Sequence, residues 1–231
     1  MKRLLLLPLL LASALRAEDA QPKTAEQIIR IVQNSYALQN YKMNGQLRDD
    51  ATGRVEPLTL TMRDRVMRFV FKNQPPEIVH LDMNTSPATL YQVRPGGSSV
   101  VPDSQHGNKV RGMEFNYEDL SLAFLYWPRP QLMGDDRVSG QKCWRVRVIN
   151  PTGEGPYHAV DLWVHQGSGG AAKMQAWDRN SKIVKKYQVT KVQKVEGATT
   201  LKELRIESIN PANDSVIGRT YMTLEDPVKN N

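Results

Sequence analysis

The sequence predicts a mainly β protein of the α+β type: one antiparallel meander, with a helix before it and a short helix within it. Three observations predict this. Residues 160–165, 173–178, 182–192, 201–208 and 215–225 each alternate apolar with polar side chains, and a period of two puts the apolar set on one face of a sheet. Gly, Asn, Asp, Ser or Pro separates each segment from the next. Spacers too short to hold a helix make neighbours in sequence antiparallel neighbours in the sheet. Helical spacing of apolar residues appears at two places, near residues 24–36 and 117–127.

The apolar face can be followed across two hairpins. Val160, Leu162 and Val164 share a parity. If the glycine-rich loop 166–171 closes a hairpin, they stand opposite Ala172, Met174 and Ala176, while Asp161, Trp163, His165, Lys173 and Gln175 take the other face. The turn at residues 178–181 carries the same face into Ile183, Tyr187 and Val189. A slip of one residue would turn the whole set into water, so the pattern fixes the pairing.

Residues 1–17 have the form of a secretory signal peptide. Lys2 and Arg3 come first, an apolar run over residues 4–11 follows, and Ala12-Ser13-Ala14 or Ala17 is the cleavage site. The apolar run is too short to span a bilayer, and no Cys lies near the cleavage region to take a lipid. The expectation is an exported, periplasmic protein without a lipid anchor, with residues 18–231 forming one domain. Removal of Lys2, Arg3 and Arg16 lowers the formal charge from +7 to +4. That mild basicity is not the footprint of a nucleic-acid binder. The one cysteine, Cys143, cannot form an intramolecular disulfide and reads as a small packed hydrophobe. The fold is then held by its core alone.

Thr24-Ala-Glu-Gln27 matches a capping box, with Ile28, Ile29, Val32 and Tyr36 at helical spacing behind it and Ile31 beside them. Strands are expected at 41–49, 56–62 and 65–71, the last two as a hairpin. A two- or four-residue loop gives the same parity: Leu58, Leu60 and Met62 share a face with Met67, Phe69 and Phe71, while Thr59, Thr61, Arg63, Arg68 and Val70 take the other. The first set is the cleanest apolar face in the chain, and its methionines make it deformable. Two further strands follow at 77–82 and 89–94. The polar, Gly-rich stretch 94–111 is long enough to be a functional loop and is expected at a sheet edge or cavity mouth. Tyr117-Glu-Asp-Leu120 opens a short helix through Leu122, Phe124 and Leu125 to Trp127-Pro128. That helix is apolar on most sides, so it is buried or covers something apolar. Residues 143–149 form a strand with Trp144, Val146 and Val148 on one face.

His80, His106, His158 and His165 are scattered without metal-ligand spacing, and no phosphate loop, lipase elbow or dinucleotide fingerprint occurs. Asp161 and His165 share a strand face but stand about 13 Å apart along it, too far for a hydrogen bond. Ser168 lies in a glycine loop, a poor place for a positioned nucleophile. No catalytic residue, metal or cofactor is assigned, and an enzyme is not expected. Lys182, Lys185, Lys186, Lys191 and Lys194 read as a solvated basic face, open to anionic lipid or an acidic partner.

The signal-peptide form, the Ile28-Ile29-x-x-Val32 helix, Tyr117-Glu-Asp-Leu120, Val160-Asp-Leu-Trp-Val164, the Trp177-Asp178 pair before a turn and the Lys185-Lys186-Tyr187-x-Val189 strand together resemble the outer-membrane lipoprotein-sorting family related to LolA. The resemblance covers most of the mature chain. It implies a strongly curved antiparallel sheet forming an unclosed β-barrel, with the N-terminal helix and short helices plugging its concave face. It also implies a monomeric carrier that shields lipoprotein acyl chains in an apolar cleft. Its implied partners are an inner-membrane release complex and an outer-membrane acceptor. Leu58, Leu60, Met62, Met67, Phe69, Phe71, Trp144, Val146, Val160, Leu162, Val164 and Met174 are the expected lining. Leu120, Phe124, Leu125 and Trp127 are the expected lid, shifting when lipid enters. No basic lid-latching residue matches. A regulator of the RseB type has the same half-barrel and senses lipoprotein, but adds a second domain for which residues 227–231 are expected to leave no room. Carriage of another lipid is the remaining alternative.

Overall fold

The computed structural model describes residues 24–35, 40–195 and 198–229; the expected signal peptide and Tyr36 lie outside them. Thr24 caps the first helix reciprocally: Gln27 N donates to Thr24 Oγ1 at 3.2 Å and Thr24 N to Gln27 Oε1 at 3.1 Å. That helix, α1, spans Ala25–Ser35 and buries Ala25, Ile28, Ile29 and Val32. Six strands follow: β1 Tyr41–Asp49, β2 Val55–Arg63, β3 Val66–Phe71, β4 Glu77–Asp82, β5 Thr89–Arg94 and β6 Gly97–Val100. Next come helix α2, Tyr117–Ser121, and a 3-10 turn, Ala123–Tyr126. Then come β7 Gln131–Val138, β8 Gln141–Ile149, β9 Ala159–His165, β10 Ala171–Trp177, β11 Ile183–Val195, β12 Ala198–Ile209, β13 Val216–Leu224 and β14 Val228–Lys229.

The described strands form one antiparallel sheet in the order β6-β5-β4-β3-β2-β1-β13-β12-β11-β10-β9-β8-β7, with β14 also beside β1. The β1–β13 ladder, from Gly45↔Leu224 to Asp49↔Thr220, places the first and thirteenth strands together in the middle of the sheet. The free edges are therefore β6 and β7, which follow each other in sequence but do not pair. The result is an unclosed, curved β-barrel, as expected. Residues 101–130 connect its two edges and supply Leu120, Phe124 and Leu125 to the core on its concave side. No helix among the described residues is long and apolar enough to cross a membrane.

The hairpin loop left open between two and four residues is resolved, and several other local expectations change. The β2–β3 hairpin turns on two residues, Asp64 and Arg65, with φ of 51° and 59°, the left-handed pair of a type I′ turn. The stretch 94–111 is not all loop: β6 lies within it as the edge strand, followed by 3-10 turns at Asp103–Gln105 and Val110–Gly112. β7 had no counterpart in the sequence reading, and neither had β14, which falls where only a tail was expected. A bulge between Ala171 and Lys173 sets Ala171, not Ala172, opposite Val164; Ala172 packs with Val138, Cys143 and Trp163 on the other face. A second bulge between Ala176 and Trp177 sets Ile183 opposite Trp177, and Val184 packs on the concave core instead. Bulges reverse parity locally, which is why the alternation misplaced these two residues.

Gly169 has φ +73°, and a Cβ there would collide with Ile31 of α1. Gly170 beside it meets only Ser168 Oγ, at 3.7 Å. Gly169→Ala is expected to push α1 off the sheet and to lower the urea unfolding free energy by about 1–3 kcal/mol. Gly170→Ala is expected to stay within about 0.5 kcal/mol of wild type. Equal effects would mean that α1 is not seated through this contact.

Candidate functional site

The concave face is assembled by register. On one half of the sheet Leu58 faces Phe71, Leu60 faces Phe69 and Met62 faces Met67. The Phe69 and Phe71 rings stack with centroids 6.4 Å apart. Val79 and Leu81 of β4 extend the face beyond Phe69 and Met67. On the other half Trp144 faces Val164, Val146 faces Leu162 and Val148 faces Val160, with Met174 beside Leu162 and Ala176 beside Val160. All twelve residues expected to line a cleft are buried in one apolar cluster with Ile28, Ile29 and Val32 of α1. The expected lid residues Leu120, Phe124 and Leu125 are buried in that cluster too, and Trp127 packs partly exposed against it. The structure thus brings together all sixteen.

They do not surround an open cleft. Each expected lining residue is buried, and one small cavity of about 10 Å³ lies against the plug, lined by Gln33, Leu81, Met83, Ala88, Leu122, Leu125 and Tyr126. Ligand pockets run from roughly 300 Å³ upward. Side chains from α1 and residues 101–130 fill the concave side, so an acyl chain has room there only where part of the plug moves.

The plug is attached in two different ways. Its first part, residues 103–121, is held by polar contacts at one end of the barrel. Asn116 caps α2: Asp119 N donates to Asn116 Oδ1 at 2.9 Å and Asn116 N to Asp119 Oδ2 at 2.8 Å. Asp119 Oδ2 also accepts from Lys185 Nζ at 2.8 Å, and Oδ1 accepts from the hydroxyls of Tyr157, at 2.7 Å, and Tyr187. Burial, together with the Asp119 charge, pushes both phenols well above their usual range. Lys185 therefore leaves the solvated basic face expected for it. The pairing Ala176↔Lys185 puts it on the concave side, 6% exposed.

Three further contacts reinforce this end. Arg111, at φ 55°, donates to Glu56 Oε2 at 3.1 Å and to the Pro75 and Asn73 carbonyls at 2.9 Å. Glu114 accepts from Ser208 and from Lys109, and its N–H donates to Thr220 Oγ1 at 3.0 Å. His106 Nδ1 lies 2.8 Å from Glu118 Oε2, and that hydrogen bond raises the imidazole above its ordinary value against the opposing effect of burial.

Beyond α2 the attachment changes. Leu122 is left-handed, φ 52° and ψ 23°, and breaks the expected single helix into α2 and the 3-10 turn. The turn is held by burial of Phe124 and Leu125 and by one bond to α1, Gln33 Nε2 donating to the Leu125 carbonyl at 2.9 Å. Only this second part of the expected lid rests chiefly on apolar packing.

On the convex face of β8–β10 the polar residues satisfy each other. Arg145 donates to Asp161 at 2.6 Å and Arg147 at 2.5 and 2.9 Å. Burial pushes the Asp161 carboxyl up, but the two arginines outweigh it and hold the group below its usual range. Arg145 and Lys173 stand over the Trp163 ring, 4.9 and 4.1 Å from its centroid. Cys143 is buried beside Trp163, and that burial pushes its thiol up. His165 Nδ1 lies 2.9 Å from Ser168 Oγ and accepts from Ser168 N at 3.1 Å, which closes a turn. Asp161 is engaged by the two arginines and takes no part in it.

The sequence reading missed the Asp119–Lys185 centre, though two signals for it were present. Asn116 and Asp119 stand at capping-box spacing, and Lys185 shares the parity of Tyr187 and Val189, already assigned to the concave face. A charge on that face needs a partner of opposite sign.

Solved structures with this architecture define the class. The chain shares its fold with an outer membrane lipoprotein-sorting protein domain from Vibrio parahaemolyticus, at TM-score 0.69 and 14% identity over 89% of this chain and 93% of that one. It shares it with a LolA superfamily protein from Nitrosomonas europaea, at TM-score 0.67 and 12% identity over 91% and 95%. A DUF1329 family protein from Desulfovibrio piger is similar at TM-score 0.60 and 12% identity over 89% and 92%. The chain shares one fold with these three proteins. By sequence the chain belongs to a family described as "Uncharacterized protein", whose model matches residues 98–231. No curated protein matches the sequence.

Two measurements test the polar anchor. Lys185→Met leaves the Asp119 carboxylate buried without its cation and is expected to lower unfolding free energy by about 3–5 kcal/mol; a loss under 1 kcal/mol would mean that the centre contributes no hold. The His106 contribution has a definite sign. Its folded pKa lies above the ordinary 6.5, so its stabilisation is complete below that value and is lost as pH rises through the folded pKa. Wild type is expected to lose stability over that window relative to His106→Gln, as read by urea melts across pH.

Proposed function

We propose that the protein is a soluble periplasmic carrier that shields acyl chains between the concave face of the barrel and the second part of the plug. Lipoproteins in transit to the outer membrane are its expected cargo. The observation that supports this best is the way the apolar face is covered. Leu58, Leu60, Met62, Met67, Phe69 and Phe71 share one apolar cluster with Phe124 and Leu125 of a plug segment that follows a left-handed break at Leu122 and rests chiefly on apolar contacts. Withdrawing Phe124 and Leu125 costs about 1.5–3 kcal/mol for each side chain. An acyl chain returns about 0.8 kcal/mol for every CH₂ it buries, so a handful of methylenes offsets the opening and the exchange is reversible. The lipoprotein-sorting domain of similar fold agrees with this reading. In this proposal the protein works as a monomer between an inner-membrane release complex and an outer-membrane acceptor, without cofactor or catalytic residue.

The first test is binding of a fluorescent fatty-acyl probe. Phe69→Asp is expected to weaken it at least tenfold if the variant keeps the wild-type circular dichroism spectrum; unchanged affinity in a folded variant removes this face as the lining. The second is hydrogen exchange with and without probe. Exchange across residues 122–127 is expected to change on binding while residues 117–121 stay protected. No change in either stretch with probe bound would make the whole plug fixed core. Failure to release a lipoprotein from inner-membrane vesicles with its cognate machinery, alongside probe binding, assigns the cleft to another lipid.

A further inference from the structure

Outside the barrel, on the convex face of β1–β4, lies a groove of about 620 Å³. Its residues come from one transverse row of the sheet: Lys42 pairs with Thr61, Thr61 with Arg68, and Arg68 with His80. Arg63 flanks the row, and Val66 and Val70 supply its apolar patches. Three strand spacings make the row about 14 Å long, a span for a headgroup rather than for a bare ion. We propose that this groove takes the phosphates of anionic phospholipid headgroups and seats one end of the barrel on a membrane surface. The proposal goes beyond the carrier reading and does not need it, since docking requires no cargo.

Three features carry it. The first is missing partners. Elsewhere on the convex face the arginines are neutralised: Arg145 and Arg147 by Asp161, Arg219 by Glu207 and Asp50. Among the described residues no carboxylate lies within ion-pair distance of Lys42 or Arg68. His80 Nε2 is buried without a hydrogen-bond partner, and burial together with Arg68 holds the imidazole below its usual range. An anion between Lys42, Arg68 and the Thr61 hydroxyl would satisfy charges that the protein leaves open. Strands β1–β4 are interior to the sheet, so these cations do not serve as edge protection.

The second feature is position. Lys42 is near the start of β1, Arg63 ends β2 and Val66 starts β3, so the groove lies toward the β2–β3 turn. Arg65 in that turn donates to the Met83 carbonyl at 3.1 Å, and Met83 lines the small cavity under the movable plug segment. The Arg65 charge also reaches Tyr126 of that segment, opposing the rise that burial imposes on its hydroxyl. The groove therefore sits beside the end of the barrel where the plug is held by apolar contacts.

The third is charge along the strands. Asp49, Glu56 and Glu77 stand at the far ends of β1, β2 and β4. At the groove end Asp82 is engaged by Asn84, and Asp64 lies 3.5 Å from Arg63 with both largely exposed. Glu225 and Asp226 follow β13 at the same end, with Asp226 3.6 Å from Lys202, while Lys42 and Arg68 there have no carboxylate within ion-pair distance among the described residues. At the far end Glu56, Glu114 and Asp119 are paired with Arg111, Lys109 and Lys185, so the unpaired cations of the groove are what an anionic surface attracts, and that turns the movable plug toward the bilayer.

The test is co-sedimentation of the full-length protein with vesicles at low salt. Binding to phosphatidylcholine vesicles containing phosphatidylglycerol is expected, with none to phosphatidylcholine alone. Lys42→Ala and Arg68→Ala are each expected to lower the partition coefficient about fivefold. Arg68→Glu is expected to lower it further, and Lys182→Ala, exposed near the opposite end, to leave it unchanged. All are surface changes, and circular dichroism confirms the fold of each. Binding that Lys182→Ala weakens as much as Arg68→Ala would be general basicity and overturns the proposal; so does absence of binding to the anionic vesicles. Glycerol-1-phosphate is titrated in parallel. If it binds in an Arg68-dependent way while the protein stays off the vesicles, the groove serves a soluble phosphate ester and membrane docking is overturned. The acyl-probe assay reads the carrier function separately, so either can fail alone.

Discussion

A sheet that carries its apolar side chains on one face must have that face covered, and this sheet cannot cover it by closing on itself. The β1–β13 pairing fills the middle of the strand order, which leaves β6 and β7 as free edges. The chain that runs from one edge to the other crosses the concave side. Residues 101–130 bring Val110, Met113, Phe115, Leu120, Phe124 and Leu125 into the core, and α1 brings Ile28, Ile29 and Val32. The cover is therefore the connection between the sheet's own edges. Moving part of it breaks no strand pairing, because no strand of the sheet lies within it.

How the cover is fixed follows from what kind of contact each part makes. Burying the Asp119–Lys185 pair incurs desolvation that its mutual attraction only partly offsets, so such a pair is a weak source of net stability compared with apolar packing. Its value lies in geometry. Asp119 accepts from Asn116, Tyr157, Tyr187 and Lys185 together, and few placements of α2 satisfy all four. Apolar packing beyond Leu122 has no such directionality. Phe124 and Leu125 pack in one cluster with Met62, Met67 and Met174, whose flexible side chains make that face deformable. One plug thus contains a part positioned by directional polar contacts and a part held by apolar packing.

Much of this fold was legible because a half-buried sheet writes itself as alternation. Nearly all the strands with one buried face were found, and the β2–β3 face came out residue for residue. What failed has physical causes. β7 is exposed along Gln131–Arg137, so neither face selects an apolar pattern, and the same holds for β6. The bulges at Ala171–Lys173 and near Val184 shift parity without a sequence marker. Leu122 breaks a helix in a left-handed conformation that a non-glycine residue seldom adopts, so nothing in its identity announced the break. Lys185 was misread because a run of lysines looks like a solvated face until one of them finds a buried carboxylate. Arg63, Arg68 and Thr61 were correctly put on the outer face, but only cross-strand register joins them to Lys42 and His80.

The same two-part plan shapes the charge distribution. Holding residues 103–121 at one end of the barrel occupies Glu56, Glu114, Glu118 and Asp119, each bound to a basic or hydroxyl group. Those carboxylates are thereby unavailable to the cations at the other end. A plug fixed by ion pairs at both ends would have a neutral surface and no free segment. A plug held by apolar contacts at both ends would have no defined place to return to. Polar attachment gives the first part of the plug a single position, and apolar packing holds the second part beside the outer face that carries Lys42 and Arg68.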